Sequence, residues 1–412
     1  MSQPQVLRTL RALIAIRGAT RVLVTSSLCR LSYAMIGLSM MLTIEHATGS
    51  LRSAAMSSAS FSILALTTPW KARWVDRRGS RVPIALLGCA FSASLFATAI
   101  LARSGVHGAP LFVATSAISG VVSPPIGPSV RSLWAHVSNE VVSLTHLYSF
   151  DLVLEDSLFA LGPVVVGLVV ARNGPLPALF ISAALMCIGS LGLALASIAG
   201  FRSNRSSSDG PRVSRSTLLS PGFVTLLLIV AALSSMYGVV EVAVVARALA
   251  GGVPAQAGYL LAVITFGGII GGPLWTRQRW LTSSHGELGF LALVVATSAV
   301  GYASLRGLAP RCVTLFILGV AMTPVLIVSL VTVTRICAAH ARAESGAWVS
   351  TAFNAGVALG TFVAGIASTH HLVVAALNGD ALIALVVGSA LLTRTALARH
   401  GRAISDDSDL GA

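Results

Sequence analysis

The chain has 412 residues, of which 55% are hydrophobic (AVILMFWYC) and only 10% are charged, and its mean hydropathy is +0.85. A soluble protein of this length needs roughly a quarter of its residues charged to cover its surface. The composition therefore excludes a soluble enzyme and predicts a polytopic membrane protein. The net charge of +14 lies in short clusters between apolar runs, so it indicates membrane topology rather than nucleic-acid binding.

Twelve apolar runs have the length of about 20 residues that a helix needs to cross the hydrocarbon core of a bilayer. These predicted spans lie near residues 22–43, 52–70, 83–102, 109–131, 146–170, 176–200, 222–245, 256–275, 286–305, 312–334, 345–368 and 372–393. The second span is rich in Ser and Thr, and prolines interrupt the fourth.

The basic residues set the expected orientation, because cytoplasmic segments are enriched in arginine and lysine. With the N-terminus in the cytoplasm, 21 of the 28 basic residues fall in inside segments and 6 in outside segments, and Arg30 lies within the first span. We therefore expect a multi-pass protein of the plasma membrane with both termini cytoplasmic.

The longest polar interruption, residues 201–220, divides the spans into two groups of six and predicts a cytoplasmic linker between domains 1–200 and 221–412. An internal repeat supports the division: SGVVSPPIGPSV in the fourth span and LGVAMTPVLIVS in the tenth share a glycine and a proline at an offset of 199 residues. The predicted fold class is an all-α membrane protein with twelve transmembrane helices in two pseudo-symmetric six-helix bundles, an arrangement typical of secondary transporters.

The segment between the second and third spans reads KARWVDRRGSRVP. It resembles the signature of the major facilitator superfamily at Asp76, Arg77, Gly79 and Arg81, although Ala72 and Ser80 depart from the pattern. The resemblance implies a charged loop that locks the inner gate, with Asp76 facing the start of the eleventh span near Arg342. The alternative is a cluster that only anchors the cytoplasmic side.

The fifth span contains Gly162, Pro163 and Gly167, which resemble part of the Gly-Pro motif in the fifth helix of superfamily antiporters. The seventh and eighth spans, from Tyr237 onward, resemble a group of actinobacterial superfamily transporters. The resemblance implies a kinked interface helix and a proton antiporter of drugs or metabolites. The alternative is an ordinary proline kink with small-residue packing.

Asp151 and Glu155 lie on one face of the fifth span, and Arg30 lies at similar depth in the first. Carboxylates at membrane depth are costly unless they face a partner or a wet cavity. At 1.5 Å per residue, Glu155 lies roughly 13 Å into its span. One interpretation is a static ion pair with Arg30; the other is that a carboxylate, Glu155 first, exchanges a proton during transport while Arg30 tunes it. Glu241 in the seventh span is a further candidate, either cavity-facing or hydrogen-bonded between helices.

The leading function is therefore a secondary active transporter, a proton-coupled exporter of a small amphipathic compound that works as a monomer. Its expected partners are this small molecule, protons and the lipid bilayer, without nucleic acid, metal or cofactor. Uptake by proton symport and a non-transporting membrane sensor on the same fold are the alternatives. An enzyme is not expected, because the sequence contains no phosphate-binding loop, metal motif or nucleophile elbow.

Overall fold

The computed structural model describes residues 18–79, 81–137, 144–196, 221–277, 284–336, 342–367 and 379–380. Within these ranges the regular structure is helical, without strands. The helices are α1 (Ala19–Thr48), α2 (Leu51–Ala65), α3 (Thr68–Arg78), α4 (Arg81–Arg103), α5 (Ala109–Val122), α6 (Ile126–Val137), α7 (Leu144–Asn173), α8 (Pro175–Leu195), α9 (Pro221–Ala250), α10 (Gln256–Arg277), α11 (Ser284–Ser304), α12 (Leu308–Ile336) and α13 (Arg342–Ile366).

Ten helical segments in the described ranges, one of them made up of α5 and the start of α6, are long and apolar enough to cross a membrane. The prediction of a multi-pass, all-helical membrane protein is therefore confirmed. The predicted second span is not among these ten and consists of α2 and α3. The predicted twelfth span lies almost entirely outside the described residues. Twelve spans, cytoplasmic termini and the 201–220 linker stay predictions.

The described residues fall into two compact units. The first lies within Met1–Ser208 and Val245–Ala262, and the second within Asp209–Val244 and Val263–Ala412. In the first unit α1 packs against α7 and α8, α4 against α8, and α2 against α5.

Close helix approach in the first unit depends on small residues. A Cβ at Gly189 of α8 would lie 2.8 Å from the carbonyl oxygen of Thr25 in α1. Ser32 of α1 and Ser182 of α8 donate their hydroxyls to each other's carbonyl oxygens, at 2.7 and 3.1 Å. Small side chains and hydroxyl bonds of this kind drive helix association in membranes, where apolar burial cannot.

The second unit uses the same device. A Cβ at Gly271 of α10 would overlap the backbone of Val320 in α12, and a Cβ at Gly360 of α13 would overlap the backbone of Ser235 in α9. The glycines that lie four residues apart in α10 and α13 therefore allow close packing of these helices against their neighbours.

The predicted fourth span is two helices rather than one. α5 ends at Val122, Ser123–Pro125 are not helical, and α6 begins at Ile126. Pro124 and Pro125 carry no backbone N–H, so the helical hydrogen-bond ladder cannot continue through them. The second of these helices, α6, continues to Val137, six residues beyond the predicted end of the span.

Candidate functional site

The centre of the candidate site is a buried ion pair between α1 and α7. Arg30 donates from Nη2 to Oδ2 of Asp151 at 2.8 Å, and the two side chains are only 2% and 0% exposed. Two charges removed from water this completely must be close and well hydrogen-bonded to be tolerated. The pair therefore joins α1 to α7 and fixes the position of the Asp151 carboxylate.

Helix α6 supplies two more donors to the same carboxylate. Trp134, itself buried, donates its indole Nε1 to Oδ1 of Asp151 at 3.0 Å. Arg131 places its Nε 3.5 Å from Oδ2. Asp151 thus faces donors from both α1 and α6.

The second carboxylate of the cluster has a different environment. Glu155, one helical turn after Asp151, accepts from Nη2 of Arg131 at 2.5 Å and lies 3.7 Å from Nη2 of Arg30. Its side chain is 24% exposed, and that of Arg131 is 35% exposed. Glu155 is therefore partly exposed and has one contact shorter than 3 Å, whereas Asp151 is fully buried.

The buried arginine is not fully satisfied within the described part of the chain. Nε and Nη1 of Arg30 are buried and have no hydrogen-bond partner there. A buried donor without an acceptor costs roughly 1–3 kcal/mol. The cluster therefore has unused donor capacity next to its two carboxylates.

The break between α5 and α6 is held by side chains from two other helices. Tyr33 of α1 donates its hydroxyl to the carbonyl oxygen of Pro124 at 2.7 Å. Lys71 of α3 donates Nζ to the carbonyl oxygen of Gly120 at 3.1 Å and to the hydroxyl of Ser123 at 2.7 Å. These bonds fix the start of α6 and hence the position from which Arg131 and Trp134 reach α7.

The structure brings together three of the four predicted coupling residues: Arg30, Asp151 and Glu155. The sequence left open which carboxylate is the partner of Arg30, and the direct bond is to Asp151. Glu241 is half-buried on α9 and belongs to the second unit.

The predicted gate residues occupy the end of α3 and the start of α4. Arg77 and Arg81 are exposed, and Gly79 adopts φ 82°, a left-handed conformation that glycine reaches without strain. The side chains of Asp76 and Arg342 lie outside the described residues, so their predicted contact stays a prediction.

The glycines of α7 make two different contacts within the first unit. Gly162 lies on the face of Asp151 and Glu155, and a Cβ there would be 2.6 Å from the carbonyl carbon of Ala34 in α1. Gly167 packs on Gly258 of α10, whose own Cβ position would overlap the carbonyl oxygen of Pro163.

Sequence reasoning missed Arg131 and Trp134. It assigned Arg131 to the cytoplasmic boundary and did not consider Trp134. The available signal was spacing, since the two residues are three apart and so share one face of a helix. Among the described residues no group of His, Cys, Asp and Glu is arranged to hold a metal ion.

No known family model matches the chain, and no curated protein matches it in sequence. Solved structures do match. The nucleoside transporter NupG superposes with a TM-score of 0.69 at 15% identity, covering 90% of this chain and 98% of that one. An auto-inhibited peptide transporter of the POT family superposes with a TM-score of 0.70 at 13% identity, covering 91% of this chain and 96% of that one.

These neighbours show the fold of the chain. They are membrane transporters rather than enzymes, and each is covered over nearly its whole length. The chain therefore has the major facilitator fold that its sequence motifs predicted.

Proposed function

We propose that the chain is a secondary active transporter that works by alternating access and couples transport of a small amphipathic compound to protons at Glu155. Support for transport comes from the fold, shared with transporters of nucleosides and peptides. An ionised cluster inside a membrane domain is a second support, because such residues are rare outside transport pathways and proton relays.

The observation that carries the coupling role is the contrast between the two carboxylates of α7. Asp151 is fully buried and faces donors from three side chains, so protonation would leave those donors without their charged acceptor. Glu155 is 24% exposed and has one close partner. Proton exchange requires that the carboxylate be accessible, and the partial exposure of Glu155 favours it over Asp151.

The four charged groups also suggest how a proton changes the site. With both arginines and both carboxylates ionised, the described pairs balance in charge. A proton on Glu155 breaks that balance and releases Arg131 from its partner. One of the contacts that hold α6 against α7 is then lost, while Trp134 still donates to Asp151, and this loosening gives the proton a structural consequence.

We propose export as the direction, with the plasma membrane as the location. The resemblance of Gly162, Pro163 and Gly167 to the antiporter motif supports it, together with the close contact between Gly167 and Gly258. Uptake by symport uses the same carboxylate. The direction of the proton gradient that drives net movement of the compound distinguishes export from uptake.

The test uses the full chain in proteoliposomes with an imposed pH gradient. A compound that raises the melting temperature of the purified protein is found first, because a ligand that binds the folded state stabilises it. We expect gradient-driven movement of that compound in the wild type and its loss in Glu155→Gln, with the thermal shift by the compound retained.

Asp156→Asn is the matched control, since it removes the adjacent carboxylate, which is exposed and lies about 100° away around the helix. Accumulation against the gradient by Glu155→Gln at the wild-type rate would exclude Glu155 as the coupling site. Loss in Asp156→Asn as well as in Glu155→Gln would remove the distinction between the two carboxylates.

A further inference from the structure

Lys71 is a buried cation without a described anionic partner. Its side chain is 8% exposed, and within the described part of the chain its hydrogen-bond partners are a carbonyl oxygen and a hydroxyl, those of Gly120 and Ser123. Among the carboxylates whose side chains the structure describes, none lies within ion-pair distance of Nζ. A basic residue in an exposed anchor cluster would extend into solvent, as Arg73, Arg77 and Arg78 do on the same helix.

The partners of Lys71 explain why a cation is stable at this position. Gly120 and Ser123 lie at the C-terminal end of α5, where the helix dipole is negative. The carbonyl oxygen of Gly120 also accepts from the backbone N–H and the hydroxyl of Ser123, at 3.4 and 2.9 Å. An ammonium group here satisfies two acceptors and complements the dipole. Lys71 therefore caps α5 from a different helix.

The position of the cap places Lys71 between two functional regions. Lys71 belongs to α3, which continues through Arg77 to the turn at Gly79 and so carries the predicted gate. The capped residues immediately precede Pro124 and Pro125, after which α6 carries Arg131 and Trp134 to the carboxylates of α7.

We propose that Lys71 is a positioning residue that links the gate helix α3 to the coupling cluster through the α5–α6 break. The link rests on the proposed role of Glu155. Because the prolines interrupt the backbone ladder, the direction of α6 depends on side-chain bonds at the break. A shift of α6 when Glu155 is neutralised therefore reaches α3 through Lys71, and a movement of α3 reaches Arg131 by the same route.

Tyr33 provides the fixed side of this arrangement. It holds the carbonyl oxygen of Pro124 from α1, the helix that also carries Arg30. The break is thus attached to the cluster helix by Tyr33 and to the gate helix by Lys71. Of the two attachments, only the one made by Lys71 comes from a helix that carries predicted gate residues.

The experiment measures backbone hydrogen exchange in the full chain reconstituted in nanodiscs, and it needs no substrate. Exchange rates of peptides from α3 and α6 are compared among four proteins: wild type, Glu155→Gln, Lys71→Met and the double variant. In the Lys71-containing chain we expect Glu155→Gln to raise exchange in both helices, by about fivefold, as for loss of one net hydrogen bond. In the Lys71→Met background we expect the rise in α6 and no rise in α3.

Arg73→Met is the matched control: it removes an exposed cation two residues away and should leave the response of α3 intact. Lys71→Arg, which keeps a cation, should restore the response. If Lys71→Met does not yield a monodisperse protein, Ser123→Ala removes one acceptor of the same cap and replaces it in the comparison.

The link is overturned if α3 responds to Glu155→Gln equally with and without Lys71, or does not respond in the Lys71-containing chain. This outcome is separate from failure of the proposed function. A Lys71-dependent response in a protein whose Glu155→Gln variant still transports against a gradient would retain the link and reject the coupling site.

Discussion

The indole Nε1 of Trp134 donates to Oδ1 of Asp151 at 3.0 Å, which joins α6 to α7 inside the first unit. Both side chains are buried, at 1% and 0% exposure. The bond fixes Asp151 on the side opposite the oxygen that Arg30 contacts, so each carboxylate oxygen has its own donor from a different helix. The carboxylate is consequently held in one orientation.

Removal of this bond should cost stability without removing bulk. In Trp134→Phe an aromatic ring remains, but the donor to a buried carboxylate is lost, a change of about 1.5–3 kcal/mol for a hydrogen bond to a charged group. We expect a lower melting temperature of the detergent-solubilised protein. Trp70→Phe is the control, because Trp70 is 67% exposed. Equal melting temperatures for Trp134→Phe and wild type would show that the indole bond contributes nothing.

Gly162→Ala should weaken the contact between α7 and α1. The added Cβ would lie 2.6 Å from the carbonyl carbon and 2.7 Å from the carbonyl oxygen of Ala34, and backbone atoms cannot rotate away as a side chain does. Overpacking of this kind typically costs 1–3 kcal/mol, so the melting temperature should fall.

Gly222→Ala is the matched control for that variant, since Gly222 is also helical but a Cβ there would meet nothing within 4 Å. It should leave stability unchanged or raise it slightly, because alanine is the better helix former. A larger loss in Gly222→Ala than in Gly162→Ala would contradict the packing account of α7.

The gate prediction concerns the residues at the end of α3 and the start of α4. Asp76→Asn removes the charge with which this segment is expected to hold the inner gate, and we expect slower transport with normal membrane insertion. The measurement is initial transport rate per folded molecule. Asp406→Asn, in the polar C-terminal tail, controls for loss of a negative charge outside the gate. Wild-type rates in Asp76→Asn would reject the gating role.

The sequence alone was sufficient for the fold and for part of the site. Hydropathy, the position of the basic residues and the KARWVDRRGSRVP motif predicted the major facilitator fold. Helical periodicity put Asp151, Glu155 and Gly162 on one face of α7, and that face does contact α1 through Arg30 and Ala34. Regular helices preserve spacing, so one-face arguments hold within them.

The positions of the other site residues, Arg131 and Trp134, depend on the irregular segment between α5 and α6. From sequence the fourth span was predicted to run through the prolines at 124 and 125 to residue 131, which placed Arg131 at the cytoplasmic boundary. Lys71 was counted among the basic residues of the cytoplasmic side. The direction of α6 after such a break is set by tertiary bonds, here from Tyr33 and Lys71. No local sequence pattern encodes those bonds, which explains why Arg131 and Trp134 were not assigned to the cluster.

The last prediction uses stability alone to distinguish an ion pair that only holds the structure from one whose carboxylate can exchange a proton. Asp151→Asn leaves Arg30, which is 2% exposed, without its direct anionic partner. Breaking a buried pair on one side typically costs 3–5 kcal/mol, because an uncompensated charge stays buried. Glu155→Gln removes a pair whose members are 24% and 35% exposed, and loss of a partly exposed pair costs less than loss of one partner of a fully buried pair. We therefore expect a large fall in melting temperature, or loss of folded protein, for Asp151→Asn and a small one for Glu155→Gln.

The double variant Arg30→Met with Asp151→Leu should be more stable than Asp151→Asn, since it removes both charges together. If Glu155→Gln unfolds as readily as Asp151→Asn, both carboxylates are structural and the proton must be carried elsewhere, with Glu241 the next residue to test.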